Sequence, residues 1–347
     1  MIARCLAILL VAAAGTARAQ GFAGLGTEAE GFALPERGAP ITFPEDHGAH
    51  PEFRIEWWYL TANLQAADGA RYGVQWTLFR TALAPREADG WQSPQLWMGH
   101  AALTTASRHH HAERLARGGV GQAGVTAEPF AAWIDDWRAA GPSLSEVTVT
   151  ASGRGFGYAL DLDAEGPFVF HGENGFSVKS AEGQASHYYS QPFYRARGTL
   201  SLEGREVAVT GTAWLDREWS SQPLSESQEG WDWFSISLDG GARVMAAQVR
   251  ETGGGVFTFA TWIAPDGTET PYGDGALRLT PLGTAEVAGR EVPVRWRVEL
   301  PAKGLDVTTE PLNPQSWMAT SFPYWEGPVS VSGSHDGHGY LEMTGYE

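Results

Sequence analysis

Tyr72-Gly73-Val74-Gln75-Trp76-Thr77-Leu78 sets an apolar side chain at every second position, and Phe156, Tyr158, Leu160 and Leu162 repeat the pattern further on. Residues two apart share one face of an extended chain, so both stretches read as half-buried strands. Asp68-Gly69, Asp89-Gly90, Asp239-Gly240, Asp266-Gly267 and Asp336-Gly337 suit tight hairpins, because both central positions of a type I′ turn need positive φ. Helical periodicity is confined to the stretch from Phe130 to Ala140, where Trp133 and Trp137 are expected to lie on a turn or two of helix. No GxGxxG or GxxxxGK[ST] string is present, and nothing resembles a βαβ unit, which removes dinucleotide and P-loop readings. The expected class is all-β, with up-and-down antiparallel topology.

A faint internal repeat organises the chain. Glu56-Trp57-Trp58-Tyr59-Leu60 leads through a turn into residues 72–80, and Trp231-Asp232-Trp233-Phe234-Ser235 leads through Asp239-Gly240-Gly241 into residues 244–250. Two closing segments correspond as well: 198–204 with 211–216, and 327–333 with 339–344. Each copy reads as one β unit, residues 40–222 and 223–347, joined near the polar stretch 220–230. Closing each sheet into a barrel removes exposed edges and leaves a central cavity that can hold one ligand.

Met1, Arg4, the apolar run 6–14 and Ala17-Arg18-Ala19 follow the order of a secretory leader (residues 1–19), with cleavage before Gln20 and a periplasmic or secreted product expected. No later segment is apolar enough to span a bilayer as a helix, so an integral membrane protein is not expected. The sole cysteine, Cys5, would leave with the leader, which excludes disulfides and thiolate chemistry from the mature chain. The formal charge is −17, and loss of Arg4 and Arg18 makes it more negative still. Such a surface repels phosphate backbones, so no nucleic-acid partner is expected. It also gives no reason to expect an oligomer, and a monomer is the expectation. The 43 glycines and 15 tryptophans point to many turns and an aromatic-lined interior.

Three clusters set ionisable groups among aromatics. The first combines Ser186-His187-Tyr188-Tyr189-Ser190 with Trp214-Leu215-Asp216-Arg217-Glu218-Trp219. Trp214, Asp216 and Glu218 alternate along one strand face, as His187 and Tyr189 do along another. A buried carboxyl beside an imidazole can be tuned for proton delivery near neutral pH, and indole and phenol faces can steady a developing cation. The same residues also suit a structural His–Asp or Arg–Asp pair locking adjacent strands. The second cluster is Gly230-Trp231-Asp232-Trp233-Phe234, and the third joins Tyr324-Trp325-Glu326-Gly327 to Tyr340, Glu342, Thr344 and Tyr346. Core packing with rim carboxylates is the alternative for both. Trp57, Trp58, Tyr59 and His100 carry the same ambiguity. His47, His50, His109-His110-His111, His335 and His338 fall in loop-like stretches and do not make a metal site. No Gly-x-Ser-x-Gly elbow marks a serine hydrolase.

These motifs, in this order from about Phe43 to Glu347, resemble the carotenoid 1,2-hydratase and AttH-like family, often labelled as secreted hydrolases. The resemblance implies two tandem lipocalin-like antiparallel β-barrels, with ligands at or near the first barrel and the junction. Hydratases of the family protonate a terminal alkene of an acyclic carotene without a cofactor and let water capture the tertiary cation; fungal relatives bind polyenes for cyclisation. The AttH-like branch is associated with ABC export systems, which makes an ABC transporter a candidate partner. The hydratase pattern of His-x-Trp followed by Tyr-x-Asp is met here by His187-Tyr188-Tyr189 and Trp214-Leu215-Asp216, with both aromatic positions exchanged.

The resulting expectation is an exported protein that binds an extended apolar molecule such as an isoprenoid or lipid and acts on it by cofactor-free acid catalysis. Asp216 would donate the proton, with His187 as its partner and Tyr189 and Trp214 as the aromatic wall. Trp57, Trp58, Tyr59, His100, Tyr188, Glu218, Trp231, Asp232, Trp233, Tyr324, Trp325 and Glu342 are the candidate ligand-binding residues. The alternatives are a non-catalytic lipid carrier, and a carbohydrate-binding protein or glycosidase using tryptophan platforms with Asp216 and Glu218.

Overall fold

The computed structural model describes residues 30–346 except 223 and 226; the expected leader and Cys5 lie outside the described residues. The first sheet is built from β1 (Ile55–Ala66), β2 (Arg71–Ala82), β3 (Gln95–Thr104), β4 (His109–Arg117), β5 (Ala123–Thr126), β6 (Phe130–Ile134), β7 (Trp137–Ser143), β8 (Glu146–Gly153), β9 (Phe156–Ala164), β10 (Val169–Phe170), β11 (Phe176–Val178), β12 (Ala185–Leu202) and β13 (Arg205–Ser220). The second comprises β14 (Gln228–Leu238), β15 (Arg243–Glu251), β16 (Val256–Ile263), β17 (Glu269–Tyr272), β18 (Arg278–Val287), β19 (Arg290–Leu300), β20 (Leu305–Pro311), β21 (Trp317–Met318), β22 (Tyr324–Gly333) and β23 (Gly337–Met343). All the described pairings are antiparallel, and both sheets curl into near-barrels of the lipocalin-like type. No helix among the described residues is long and apolar enough to cross a membrane.

The repeat seen in the sequence has a topological counterpart. β1 pairs with β2 on one side and the last strand of its sheet, β13, on the other, and β14 pairs likewise with β15 and β23. The two sheets meet where β1 faces β23 and β2 faces β22. Backbone closeness there needs a missing side chain: a Cβ on Gly73 would stand 2.5–2.7 Å from Pro328 and the Tyr340 hydroxyl.

Central strands are consequently buried on both faces, which is why Trp57-Trp58-Tyr59-Leu60 is a continuous apolar run rather than an alternating one. Trp58 and Leu60 point into the first curl, where Trp76 and Trp137 are also fully buried. Tyr59 points the other way, into a junction cluster with Tyr188, Trp214, Trp233, Phe259 and Tyr340. For the first barrel the expectation of a central cavity is thus corrected: tryptophans fill its interior, and a cavity lies between the sheets instead.

Three local expectations also change. Residues 130–140 form the β6–β7 hairpin instead of a helix, because Phe130, Ala132 and Ile134 alternate into the core and Asp135 turns the chain at φ 52°. Among the described residues, positive φ at two successive positions occurs at Asn174-Gly175, Glu203-Gly204, Gly253-Gly254 and Ala288-Gly289, whereas Asp68 and Asp266 keep negative φ and leave only the following glycine left-handed. His109-His110-His111 opens strand β4 and His338 lies in β23, so neither is in a loop.

Candidate functional site

A cavity of about 140 Å³ opens between the sheets. Trp57 and Tyr59 enter it from β1, Tyr188 from β12, and Asp216 and Glu218 from β13; Trp231, Trp233, Tyr324 and Glu342 enter from the second sheet. Strand periodicity explains the selection: Trp57 and Tyr59 of β1 and Trp231 and Trp233 of β14 face the cavity while their neighbours face a core or a separate polar cluster, and the register shift between Gln228 and Gly230 brings Gln228 to the same side.

Asp216 is 2% exposed and sits beside Ser190 on the neighbouring strand. Ser190 Oγ and Trp214 Nε1, the latter at 2.7 Å, both donate to Asp216 Oδ1. The Tyr188 hydroxyl, which accepts from Trp233 Nε1, also hydrogen-bonds the Asp216 carboxyl. Burial pushes the Asp216 carboxyl up to about 7, against the opposing hydrogen bonds from Ser190 and Trp214, with the Glu218 charge adding to the rise.

The imidazole serving Asp216 is not His187. His187 lies on the opposite face of β12, between Phe53 and Trp219 with ring centroids at 5.8 and 5.2 Å. His171 takes the place assigned to it: Nε2–H donates to Ser190 Oγ at 2.6 Å, and Thr261 of β16 donates to Nδ1 at 2.9 Å. Complete burial, with Lys179 nearby, holds His171 well below the usual imidazole range, so the ring is neutral and fixed in one tautomer. Sequence reading missed it because Phe170-His171-Gly172 carries no motif and its partners are remote in the chain.

Glu218 receives the Ser186 hydroxyl and pairs with Lys179 at 3.0 Å, whose ammonium stands 4.5 Å from the ring centres of both Tyr188 and Phe259. Across the cavity, Glu342 accepts Trp231 Nε1–H at 2.6 Å, and burial pushes its carboxyl up to about 7 despite that bond and one from Tyr59. Two carboxyls from different sheets therefore hold protons near neutrality on facing walls.

The remaining candidates stand elsewhere. Trp58 belongs to the first core and donates to the His47 carbonyl, Tyr189 bonds His47 Nδ1 at 2.7 Å, and Trp325 belongs to the second core and donates to the Pro314 carbonyl. Asp232 is held by Arg250, Gln248 and Tyr346. Trp214 touches Asp216 without lining the cavity, and His100 lies behind Tyr324, bonded to its hydroxyl at 2.9 Å.

The family model for AttH-like proteins matches residues 34–346. The chain belongs to the AttH-like family. A Nitrosomonas europaea protein, itself only provisionally assigned as AttH, is 33% identical with a TM-score of 0.83, covering 91% of this chain and 99% of that one. Kievitone hydratase from Nectria haematococca shares the fold at 15% identity and TM-score 0.67, over 90% of this chain and 98% of its own. CghA with Sch210972 does so at 15% identity and TM-score 0.51, over 92% and 97%. No curated protein matches the chain by sequence. Within this AttH-like chain, the junction between the sheets is where ionisable groups and open space coincide.

Proposed function

We propose that this protein takes the unsaturated end of an apolar ligand into the cavity between its sheets and adds water to it without a cofactor, Asp216 delivering the proton. The observation that carries this reading is a carboxyl raised to about 7, held by Ser190 and Trp214, in the wall of an aromatic cavity. A proton leaves the Asp216 carboxyl and bonds to the less substituted alkene carbon, placing the cation on the more substituted one. Water attacks that carbon and loses its proton to a carboxylate, giving a tertiary alcohol. Trp57, Tyr59, Trp231 and Trp233 present ring faces or edges around the reacting end, and a ring face is worth about 0.5–2 kcal/mol to a cation.

Size refines the substrate. The 140 Å³ space is close to a cavity of roughly 150 Å³ that holds benzene in another protein. One ring or one branched isoprene unit is enclosed, and the rest of an extended ligand lies in the opening. Kievitone hydratase shares the fold, and its name supports a hydratase reading by analogy alone. The same proposal has the chain exported, with a mature N-terminus at Gln20.

The test begins with native mass spectrometry of protein isolated from its own source, followed by organic extraction of what it carries. Turnover of the released molecule in ¹⁸O-labelled water should place one labelled oxygen in the product, and Asp216→Asn should lose about 10²-fold or more in rate. A stoichiometric ligand returned unchanged by wild type would make the protein a carrier. An empty protein that also ignores apolar probes would sink the reading.

A further inference from the structure

Behind the cavity wall, Glu326 and Glu342 stand directly opposite each other on β22 and β23. Facing residues of an antiparallel pair bring their Cβ atoms to about 4.5–5.5 Å, so two carboxylates there repel unless they share a proton. Glu326 is 1% exposed, and its Oε2 has no hydrogen-bond partner. The Tyr59 hydroxyl, from the other sheet, donates to Glu326 Oε1 and also reaches Glu342. Glu342 lines the cavity, whereas Glu326 does not.

A chain of polar groups leads outward from this pair. The Tyr324 hydroxyl lies against Glu326 on one side and His100 Nδ1, at 2.9 Å, on the other. His100 Nε2 is 3.1 Å from Glu113 Oε1. Glu113 is 22% exposed and is fixed by the Ser321 backbone N–H at 2.9 Å and hydroxyl at 2.8 Å. His100 itself is fully buried. A fully buried imidazole bonded at both nitrogens, between a phenol and a surface carboxylate, is arranged to pass a proton rather than to hold one.

We propose that Glu342 and Glu326 act as one proton-sharing pair, bridged by Tyr59, which takes the proton released by the attacking water and passes it through Tyr324 and His100 to Glu113. This rests on the hydration reading above. Each step balances: Glu326 gives its proton to the Tyr324 oxygen, Tyr324 gives its own to His100 Nδ1, and Nε2–H passes to the Glu113 carboxylate. Glu113 then releases its proton to solvent, the relay resets as the Tyr324 hydroxyl turns and His100 returns to its Nε2–H tautomer, and Asp216 regains a proton from solvent through the cavity opening. The charged and titratable groups facing the pair are Tyr59, Tyr158, Tyr324, Tyr340 and Glu218, with Trp231 as the further donor; those facing His100 are Glu113, Tyr324 and His111. None is a cation that would hold both glutamates ionised.

Infrared spectroscopy of the full protein tests the relay without any substrate. At neutral pH a protonated-carboxyl C=O band should survive Asp216→Asn and vanish when Glu326→Gln and Glu342→Gln are added to that variant. On transfer to D₂O that band should shift promptly in Asp216→Asn, the background for the relay variants. Tyr324→Phe, which keeps the ring, and His100→Gln should each slow the shift by roughly tenfold, the effect of losing one hydrogen bond along the path. Tyr194→Phe, which removes a buried hydroxyl bonded to the Leu144 carbonyl in the first core, should leave it unchanged. Absence of the band, or exchange unaltered in both relay variants, overturns the proposal. If the band and its exchange behave as stated but no alkene is hydrated, the hydration reading fails alone. Where turnover exists, Glu342→Gln should lower kcat with KM unchanged, and a kcat equal to wild type overturns the role of the pair in accepting the proton.

Discussion

Tyr59 and Trp233 meet edge to face, ring centres 5.3 Å apart and planes at 90°, and each sends its polar hydrogen into the opposite sheet. The Tyr59 hydroxyl donates to Glu326, and Trp233 Nε1 donates to the Tyr188 hydroxyl at 3.2 Å. Both lie on the opening strand of their sheet, opposite Asp216 and Glu342 respectively. The contact that joins the sheets is therefore also the one that sets the two acid groups across a common space.

Trp233 should consequently report on sheet docking. Trp233→Phe keeps most of the ring and loses the bond to Tyr188, a cost of about 1 kcal/mol. Trp233→Ala leaves a void at the junction and should cost about 3–5 kcal/mol. Chemical denaturation of the two variants checks the difference. Equal stabilities would mean that the junction tolerates the loss of the ring.

Asp216 should make the protein less stable as pH rises. Its folded value of about 7 lies above the 3.8 of a free side chain, so the folded state holds an extra proton across that window and stability falls as pH climbs through it. Asparagine keeps an acceptor for Ser190 and Trp214 and carries no charge to bury. Asp216→Asn should therefore melt higher than wild type at about pH 9 and match it below about pH 3, where wild type is protonated in both states. Melting curves at both pH values decide it, and a variant less stable at high pH would show that Asp216 is ionised without penalty.

The sequence was most informative where one strand face decides burial. β2 and β9 are legible from alternation, and the repeated Trp-rich openings foreshadow the matching places of β1 and β14 in their sheets. Trp57, Tyr59, Tyr188, Asp216, Glu218, Trp231, Trp233, Tyr324 and Glu342 were singled out and do line the cavity. Which neighbour faces away was not legible: Trp57-Trp58-Tyr59 has no polar residue to mark a face, because both faces are covered. Partners that depend on long-range register were equally hidden. Nothing near Phe170-His171-Gly172 announces Ser190, and nothing in Glu326 or Glu342 alone shows that β22 and β23 set them opposite each other. In β12, Pro192 cannot donate to a sheet ladder, and the register shifts between Gln191 and Tyr194, just beyond the Ser190–Asp216 pair.

The two histidines of this region should behave differently. His187→Ala removes a ring packed on Phe53 and Trp219 behind the strand, so ligand affinity should be unchanged even if the protein is somewhat less stable. His171→Gln frees Ser190 from its fixed donor and weakens the hydroxyl's hold on Asp216. The hydrogen bond from Ser190 lowers the Asp216 carboxyl, so the apparent pKa governing turnover should move upward while KM stays near wild type. A pH–rate profile displaced by His187→Ala but not by His171→Gln would reverse the assignment.

Glu56 carries a load separate from the cavity. It lies on the far face of β1, fully buried, with Arg80 on one oxygen and Arg217 and His50 on the other. Burial alone would push its carboxyl up, but Arg80, Arg217 and His50 hold it well below the usual carboxylate range. Arg217 in turn stacks on Trp58 at 3.9 Å, so the ion pairs brace the strand that delivers Tyr59 to the junction. Glu56→Gln keeps the volume and removes the charge, leaving two buried guanidinium groups undercompensated; the expected cost is about 3–5 kcal/mol. Because the folded value is depressed, the stabilisation is present above the ordinary glutamate pKa and is lost as pH falls through the lower folded value. The stability gap between wild type and Glu56→Gln should thus be full at neutral pH and narrow only in strong acid. Denaturant titrations across that range check it, and a gap that widened on acidification would show that the carboxylate is not the group binding the two arginines.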